Sequence, residues 1–143
     1  MRHGTTLIEL LIVLITAAAI IAITVPIIRP QLDRLAVDRA LNEVSAFYHS
    51  ARVAAVAGTR FIRLTFGGDS LVAVYEDPDS TILRLPGPAR MGVTLVVSRP
   101  VIRLQPSGLG WGAANTKLVL RRGAAADSMS TSILGRLRRY RSR

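Results

Sequence analysis

The chain has 143 residues, enough for one small domain beyond an anchoring segment. It contains no cysteine, so there is no disulfide framework and stability must come from burial. The 19 Lys and Arg residues, nearly all of them Arg, outnumber nine Asp and Glu residues and give a formal net charge of +10. This excess of positive charge predicts acidic partners, namely phosphate backbones, anionic lipid headgroups or acidic protein surfaces. The alternative is that the basic residues only form a solvated surface.

A long apolar run near the N-terminus is the first predicted element. The 19 residues from Leu10 to Ile28 carry no charge. An α-helix needs roughly 20 residues to cross the hydrocarbon core of a bilayer, so this run predicts a membrane-spanning helix. A cleaved signal peptide has an apolar core of only about 7–15 residues and is therefore disfavoured. A plain signal anchor is the other reading.

Glu9 and Pro26 are the two informative exceptions in this segment. A carboxylate in apolar surroundings must be neutralised, kept at the interface or paired. Glu9 therefore predicts either solvation at headgroup depth or pairing with a cation of a neighbouring chain. Pro26 removes a backbone donor and clashes with the preceding turn, so we expect a helix kink near residues 22–26.

The helical period continues over residues 29–58. Apolar and small residues recur there at steps of three and four, and charged residues fill much of the other face. Gly58 is predicted to end the helix as its C′ residue. We expect an amphipathic continuation that packs on a folded domain. The predicted buried stripe consists of Leu32, Ala36, Ala40, Val44, Phe47, Ala51 and Ala54.

Residues 59–143 have the alternation and turn residues of strands. Apolar runs at 60–66 and 71–75 flank a short glycine-rich loop and predict a β-hairpin. Further strands are predicted at 93–97, 101–104 and 117–121, and a closing strand at 132–138 follows a polar loop.

No catalytic set is recognisable in the sequence. Both His residues are isolated, and no glycine-rich loop has phosphate-binding spacing after a strand. The acids at 76–80 lack the spacing of a calcium loop and predict a solvated turn. Trp111 is either an exposed contact on a flexible loop or a core residue. We therefore expect no enzymatic activity, no cofactor and no small-molecule substrate.

The C-terminus has the densest charge, with five arginines in the eight residues 136–143. Arginine forks bind phosphates and stack on bases, and an interleaved aromatic ring adds a stacking face. DNA contact is one interpretation. A solvated tail and ion pairs with acidic neighbouring subunits are the others. The candidate contacts are Arg136, Arg138, Arg139, Tyr140, Arg141 and Arg143.

The N-terminus resembles the class III signal of type IV pilins and type II secretion pseudopilins over Gly4-Thr5-Thr6-Leu7-Ile8-Glu9-Leu10-Leu11-Ile12-Val13. In that family a prepilin peptidase cuts after the glycine and methylates the new amine. The resemblance implies cleavage between Gly4 and Thr5 and methylation of Thr5. It also implies that Glu9 is the assembly carboxylate, which pairs with the N-terminal amine of an adjacent subunit. Thr5 departs from the family's usual Phe or Met.

The C-terminal part is similar to the GspH/FimT subgroup, whose members have a Pro-x-Gly turn, a strand, and a closing strand with Gly-Arg-x-Arg. Leu104 stands where that subgroup usually has an aromatic residue. Together the two ends imply an α+β, pilin-like fold, in which a long N-terminal helix packs on a small, mainly antiparallel β domain. The matching positions are Pro106, Gly108, Gly135, Arg136 and Arg138.

The resemblance implies a division of the chain and a function. Residues 1–4 would be the leader, 5–28 the transmembrane and filament-core helix, 29–58 its amphipathic continuation, and 59–143 the β domain with its basic tail. The implied function is a minor pseudopilin of a type II secretion system, assembled through its helix into a short periplasmic filament that drives protein export. The alternative is a FimT-like minor type IV pilin that binds DNA through its C-terminus for uptake.

A third hypothesis is a single-span anchored domain outside any filament. For the first two, the implied partners are the prepilin peptidase, other pseudopilins or pilins, and the inner membrane, with DNA added in the uptake reading. The implied location is the inner membrane, crossed once, with the C-terminal domain in the periplasm, and then the filament.

Overall fold

The computed structural model describes residues 6–112 and 114–141. The chain divides into two compact units, one up to Leu32 and one from Asp33 onward. Helix α1 spans Leu7–Gly58 and contributes to both units. Its first turn is capped by Thr6, because the Glu9 N–H lies 3.3 Å from the Thr6 hydroxyl. The helix continues through Pro26 and Pro30, and the kink at Pro26 stays a prediction.

The C-terminal end of α1 corrects the predicted role of Gly58. The left-handed residue is Thr59, with φ 51°, and Gly58 still belongs to the helix. The Thr59 N–H donates to the Val56 carbonyl and the Arg60 N–H to the Ala55 carbonyl, each at 3.2 Å, which is the Schellman pattern. Gly58 is needed for space instead, since a Cβ there would lie 2.6 Å from the hydroxyl oxygen of Tyr75.

The buried face of α1 overlaps the predicted stripe only in part. Leu32 is exposed, and Ala36 and Ala54 are only partly buried. A helix that packs on two sheets buries a face wider than a strip of single residues, so neighbouring positions enter the core as well. The fully buried residues of α1 are Val37, Ala40, Leu41, Val44, Phe47, Tyr48, Ala51 and Ala55.

The strands after α1 form two antiparallel sheets. In the first sheet the order is β3-β2-β1-β5-β6, and in the second it is β4-β7-β8-β9. A short 3-10 helix, Pro88–Met91, precedes β4. The strands are β1 Ile62–Phe66, β2 Ser70–Glu76, β3 Asp79–Pro86, β4 Thr94–Val97, β5 Val101–Leu104, β6 Gly110–Trp111, β7 Thr116–Arg122, β8 Ala125–Thr131 and β9 Leu137–Arg141.

The predicted hairpin is confirmed, because β1 and β2 pair antiparallel with Phe66 opposite Leu71. The strands predicted at 93–97, 101–104 and 117–121 correspond to β4, β5 and β7. The polar loop predicted before the closing strand is wrong, since residues 125–131 form β8, a strand between β7 and β9. The closing strand begins at Leu137, after a turn, and the sequence pattern does not predict β3.

One core lies between α1 and the inner faces of both sheets. Phe47 of α1 meets Phe66 of β1 edge to face, with ring centroids 5.7 Å apart. Burial raises the pKa of the Tyr48 hydroxyl above its ordinary value, although Arg52 acts in the opposite direction. The buried strand residues are Ile62, Leu64, Phe66, Leu71, Ala73, Ile102, Leu104, Leu118, Leu120 and Met129.

Three carboxylates of α1 face arginines of the β domain. Asp33 lies 2.9 Å from Arg122 of β7, and Asp38 lies 3.5 Å from Arg139 of β9. Glu43 and Arg90 of the 3-10 helix form the third pair, at 2.5 Å. These half-exposed pairs contribute little energy each, so α1 is held on the sheets mainly by the buried core.

Candidate functional site

The N-terminal part of α1 is the first candidate site, because its apolar side chains are exposed. Leu7, Ile8 and Ile23 are 83, 71 and 67% exposed. An 18-residue window of this helix has a mean hydropathy of 2.9 with none of it buried, and α1 is the one candidate membrane span among the described residues. A surface of this kind is unfavourable in water and suits lipid or the apolar faces of other helices, which is consistent with a membrane anchor.

The polar groups inside this apolar segment are satisfied within the helix. The Thr16 hydroxyl donates to the Ile12 carbonyl at 2.9 Å, and the Thr24 hydroxyl donates to the Ile20 carbonyl at 2.8 Å. A spanning segment in lipid needs this internal pairing, because no water is available there.

Glu9 lies in the first turn of α1 and is exposed. The predicted cleavage and methylation residues, Gly4 and Thr5, lie outside the described residues.

The second candidate site is the outer face of the second sheet. Lys117 and Arg121 of β7 alternate with the buried Leu118 and Leu120 and are therefore on the side away from α1. Across the sheet, Lys117 pairs with Ser130, which pairs with Arg138 of β9.

Tyr140 completes this surface, which we call the basic sheet face and define as Lys117, Arg121, Arg138 and Tyr140. Tyr140 pairs with Ser128, which pairs with Val119 of β7, and its ring is 50% exposed. A shallow hollow of about 270 Å³ is lined by Lys117, Val119, Arg121, Ala126, Asp127, Ser128 and Tyr140.

The other predicted tail contacts are dispersed. Arg139 points toward α1, where its guanidinium donates to the Asn42 side-chain oxygen at 2.8 Å. Arg136 is exposed in the turn before β9. The side chain of Arg141 and all of Arg143 lie outside what the structure describes. The sequence prediction thus named Arg138 and Tyr140 but missed Lys117 and Arg121, which the period-two alternation of β7 would have indicated.

Two of the three acids predicted to lie in a solvated turn, Glu76 and Asp79, pair with arginines of the first sheet. Glu76 binds the guanidinium of Arg103, and this hydrogen bond raises the pKa of Arg103 above its ordinary value. Asp79 lies 3.1 Å from Arg63. No cluster of three metal-ligating side chains occurs among residues 6–112 and 114–141. Trp111 is half-exposed and meets Phe61 edge to face.

A long apolar N-terminal helix on an antiparallel β domain is the architecture of type IV pilins, and the chain has this pilin-like fold. It is similar to the type IV minor pilin FimU of Pseudomonas aeruginosa (strain PAO1) in two crystal forms. For the first, the TM-score is 0.63 at 15% identity, covering 75% of this chain and 90% of FimU. For the second, it is 0.59 at 15% identity, covering 72% and 91%. No family model and no curated protein matches the sequence.

Proposed function

We propose that the chain is a pilin-like minor subunit that is anchored in the inner membrane and assembles into a filament through the N-terminal part of α1. The observation that carries the proposal is the combination of an exposed apolar helix and a single carboxylate near its start, Glu9, on a pilin-like fold. The β domain lies in the periplasm in this proposal.

The helix has two environments in this scheme. Before assembly it spans the bilayer, where the internally bonded Thr16 and Thr24 hydroxyls add little cost. After assembly it packs against the helices of other subunits, which cover the same apolar side chains. Cleavage after Gly4 by a prepilin peptidase would create an amine at Thr5. The Glu9 of a neighbouring subunit would neutralise that amine inside the apolar filament core.

The test of assembly is the replacement Glu9→Gln, which keeps the size of the side chain and removes its charge. An unpaired amine buried in an apolar core costs about 3–5 kcal/mol, so incorporation into sheared filaments should fall more than about tenfold. Quantitative immunoblotting of the filament and membrane fractions measures this. Glu9→Asp is the matched control, because it keeps the charge on a shorter side chain, and it should retain part of the incorporation. Normal incorporation of Glu9→Gln would remove the assembly role of Glu9.

A second candidate function, DNA capture by a minor pilin, is favoured by the basic sheet face. Three cations and an exposed tyrosine lie on one face of the second sheet, and guanidinium groups with an aromatic ring suit phosphates and bases. The similar solved structures are of a type IV minor pilin, which is consistent with a pilus. Without DNA binding, the secretion pseudopilin is the proposal of choice.

DNA binding is tested on the full chain in nanodiscs of zwitterionic lipid by titration with salt. Binding should weaken steeply as salt rises, because phosphate contacts release counterions. The variant with Lys117→Gln, Arg121→Gln and Arg138→Gln should reduce the slope of log K against log salt by roughly 2–3.

The matched control removes the same charge outside the second sheet, with Arg34→Gln, Arg39→Gln and Arg84→Gln, which are all exposed. It should leave the slope nearly unchanged. Equal losses in both variants would mean that bulk charge and not this face binds DNA, and no binding at low salt would reject DNA capture altogether.

A further inference from the structure

The β domain exposes large apolar side chains where the first sheet meets the turn before β9. Leu109, Trp111, Ile133 and Leu134 are 36, 49, 47 and 62% exposed. They line a groove of about 440 Å³, which we call the apolar groove. Among the described residues, no carboxylate lines it. A continuous apolar surface of this kind on a small domain marks a contact with another molecule.

The walls of the apolar groove are held in place by hydrogen bonds. The Gly110 N–H donates to the Ile133 carbonyl at 2.8 Å, which joins β6 to the turn before β9. The Ile133 N–H donates to the Asn115 side-chain oxygen at 2.9 Å. Trp111 and Phe61 pack in a T-shaped arrangement, with ring centroids 5.8 Å apart. The exposed side chains are therefore presented on ordered backbone.

The floor of the groove depends on close backbone approach at Gly110. A Cβ at Gly110 would lie 2.2 Å from the Ala114 Cβ and 3.3 Å from the Ile133 Cα. Only glycine fits between these segments. The groove is thus formed by the local packing of β6 and the neighbouring turn.

Cations flank the apolar groove. Arg103 of β5 pairs with Trp111 across the sheet, although Glu76 binds its guanidinium. Arg52 donates to the Gly135 carbonyl at 3.2 Å, one residue after Leu134. Arg136 follows in the same turn and is exposed. An occupant with a carboxylate beside its apolar side chains would meet the exposed guanidinium of Arg136.

We propose that the apolar groove binds a different protein chain, one that inserts Leu- or Phe-sized side chains flanked by acidic residues. Charge argues against a second copy of this chain. Residues 33–143 contain 17 of the 19 basic residues and eight of the nine acidic residues, so two copies would bring together domains of like net charge. An acidic partner gains both the apolar burial and the attraction. The inference does not depend on filament assembly.

Trp111 is the only tryptophan of the chain and reports directly on the groove. The experiment uses the full chain in nanodiscs and a tryptophan-free helical peptide with Leu and Phe on one face and Glu on the other. Binding should shift Trp111 emission to shorter wavelength and saturate. A peptide with Gln in place of Glu should bind several-fold more weakly, and one with Ser in place of Leu and Phe should not bind.

Leu134→Ser should weaken peptide binding roughly tenfold, as expected when one leucine is lost from an apolar contact. The matched control is Val96→Ser, which changes a similarly exposed residue of β4 outside the groove and should bind normally. Equal affinity of Leu134→Ser and the unmodified chain, or no shift with the acidic peptide, would overturn the proposal. So would a concentration-dependent shift without peptide, which would mean a second copy, or quenching of Trp111 by brominated lipid, which would mean the membrane.

Discussion

Arg52 shows how one side chain connects two turns of the β domain. Its guanidinium donates to the Gly135 carbonyl at 3.2 Å. A Cβ at Gly108 would lie 3.1 Å from the Arg52 Nε, and a Cβ at Gly135 would lie 3.2 Å from the same atom. The two glycines of the Pro-x-Gly and Gly-Arg-x-Arg motifs thus leave room for this arginine between α1 and the turns.

We predict that Gly135→Ala destabilises the β domain more than Gly112→Ala does. Both glycines have positive φ, at 70° and 63°, so both substitutions incur about 1–2 kcal/mol of backbone strain. A Cβ at Gly135 would also lie 2.7 Å from the Gly108 carbonyl oxygen, which adds about 1–3 kcal/mol of overpacking, whereas a Cβ at Gly112 meets open space. Urea unfolding followed by Trp111 emission measures the difference.

Gly68→Ala is the control for this comparison, because a Cβ there meets nothing within 4 Å. It should change the free energy of unfolding least of the three. Equal effects of Gly135→Ala and Gly112→Ala would show that backbone strain alone matters, and the packing role of Gly135 would be rejected.

At this scale, the sequence marks Gly108 and Gly135 as motif positions but does not reveal their common partner. Arg52 is separated from Gly135 by 83 residues, and nothing in a helical charge pattern distinguishes it from a solvated arginine. The same limit applies to Arg139, which looks like part of a basic tail but lies beside Asp38 and Asn42. Such contacts depend on the tertiary fold and leave no local signal.

At the scale of elements, we predict that a substitution at the C-terminal end of α1 stabilises the chain, whereas the glycine substitutions above destabilise it. Thr59 is a β-branched residue in the left-handed region, with φ 51°, where glycine is preferred. Thr59→Gly should therefore stabilise the chain by about 0.5–1 kcal/mol after the entropy of glycine in the unfolded state is included. The midpoint of urea unfolding should rise.

The matched control is Thr65→Gly, in the extended strand β1, which should lower the midpoint of urea unfolding. A lower midpoint for Thr59→Gly would show that the Thr59 side chain makes a contact that outweighs the strain.

The elements with clear periodicity are the ones that the sequence predicts well. In β7, the apolar run Leu118-Val119-Leu120 is bounded by Lys117 and Arg121, so the strand is recognisable. In β8 only Met129 and Thr131 are buried, and the other residues are small or polar, so the segment resembles a loop until β7 and β9 pair with it. Strand pairing supplies the missing stabilisation, and it is not visible in a single segment.

At the scale of the whole molecule, the sequence separates an apolar surface, on the N-terminal part of α1, from a charged surface, on the chain from residue 33 onward. Nearly all charge follows residue 33, while the apolar segment before it has Glu9 and Arg29 within the helix. The first surface suits lipid and helix packing, and the second suits acidic partners in water. The length and composition of the apolar run predict the first directly. The grouping of Lys117 and Arg121 with Arg138 requires the sheet, so the sequence could indicate a basic tail but not the basic sheet face.

The N-terminal signal before the apolar segment leads to a prediction about cleavage of the chain. The proposed processing would remove residues 1–4 as a leader, and the mature protein would then begin at Thr5, which lies outside the described residues. Gly4→Leu should then block cleavage, because the peptidase of that family depends on the glycine. Intact-mass spectrometry of the membrane fraction should show the leader retained in this variant and absent from the unmodified chain.

Thr5→Met is the matched control, since it changes the neighbouring residue to one that is usual in the family and should leave cleavage intact. A mass of the unmodified chain that includes all 143 residues would mean that no processing occurs. That result would favour a plain single-span anchor, for which Glu9 has no amine to pair with and filament assembly has no basis. If the unmodified chain loses the leader and only Gly4→Leu retains it, the chain is cleaved after Gly4. A plain anchor does not need this cleavage, so the result would support a pilin-like subunit.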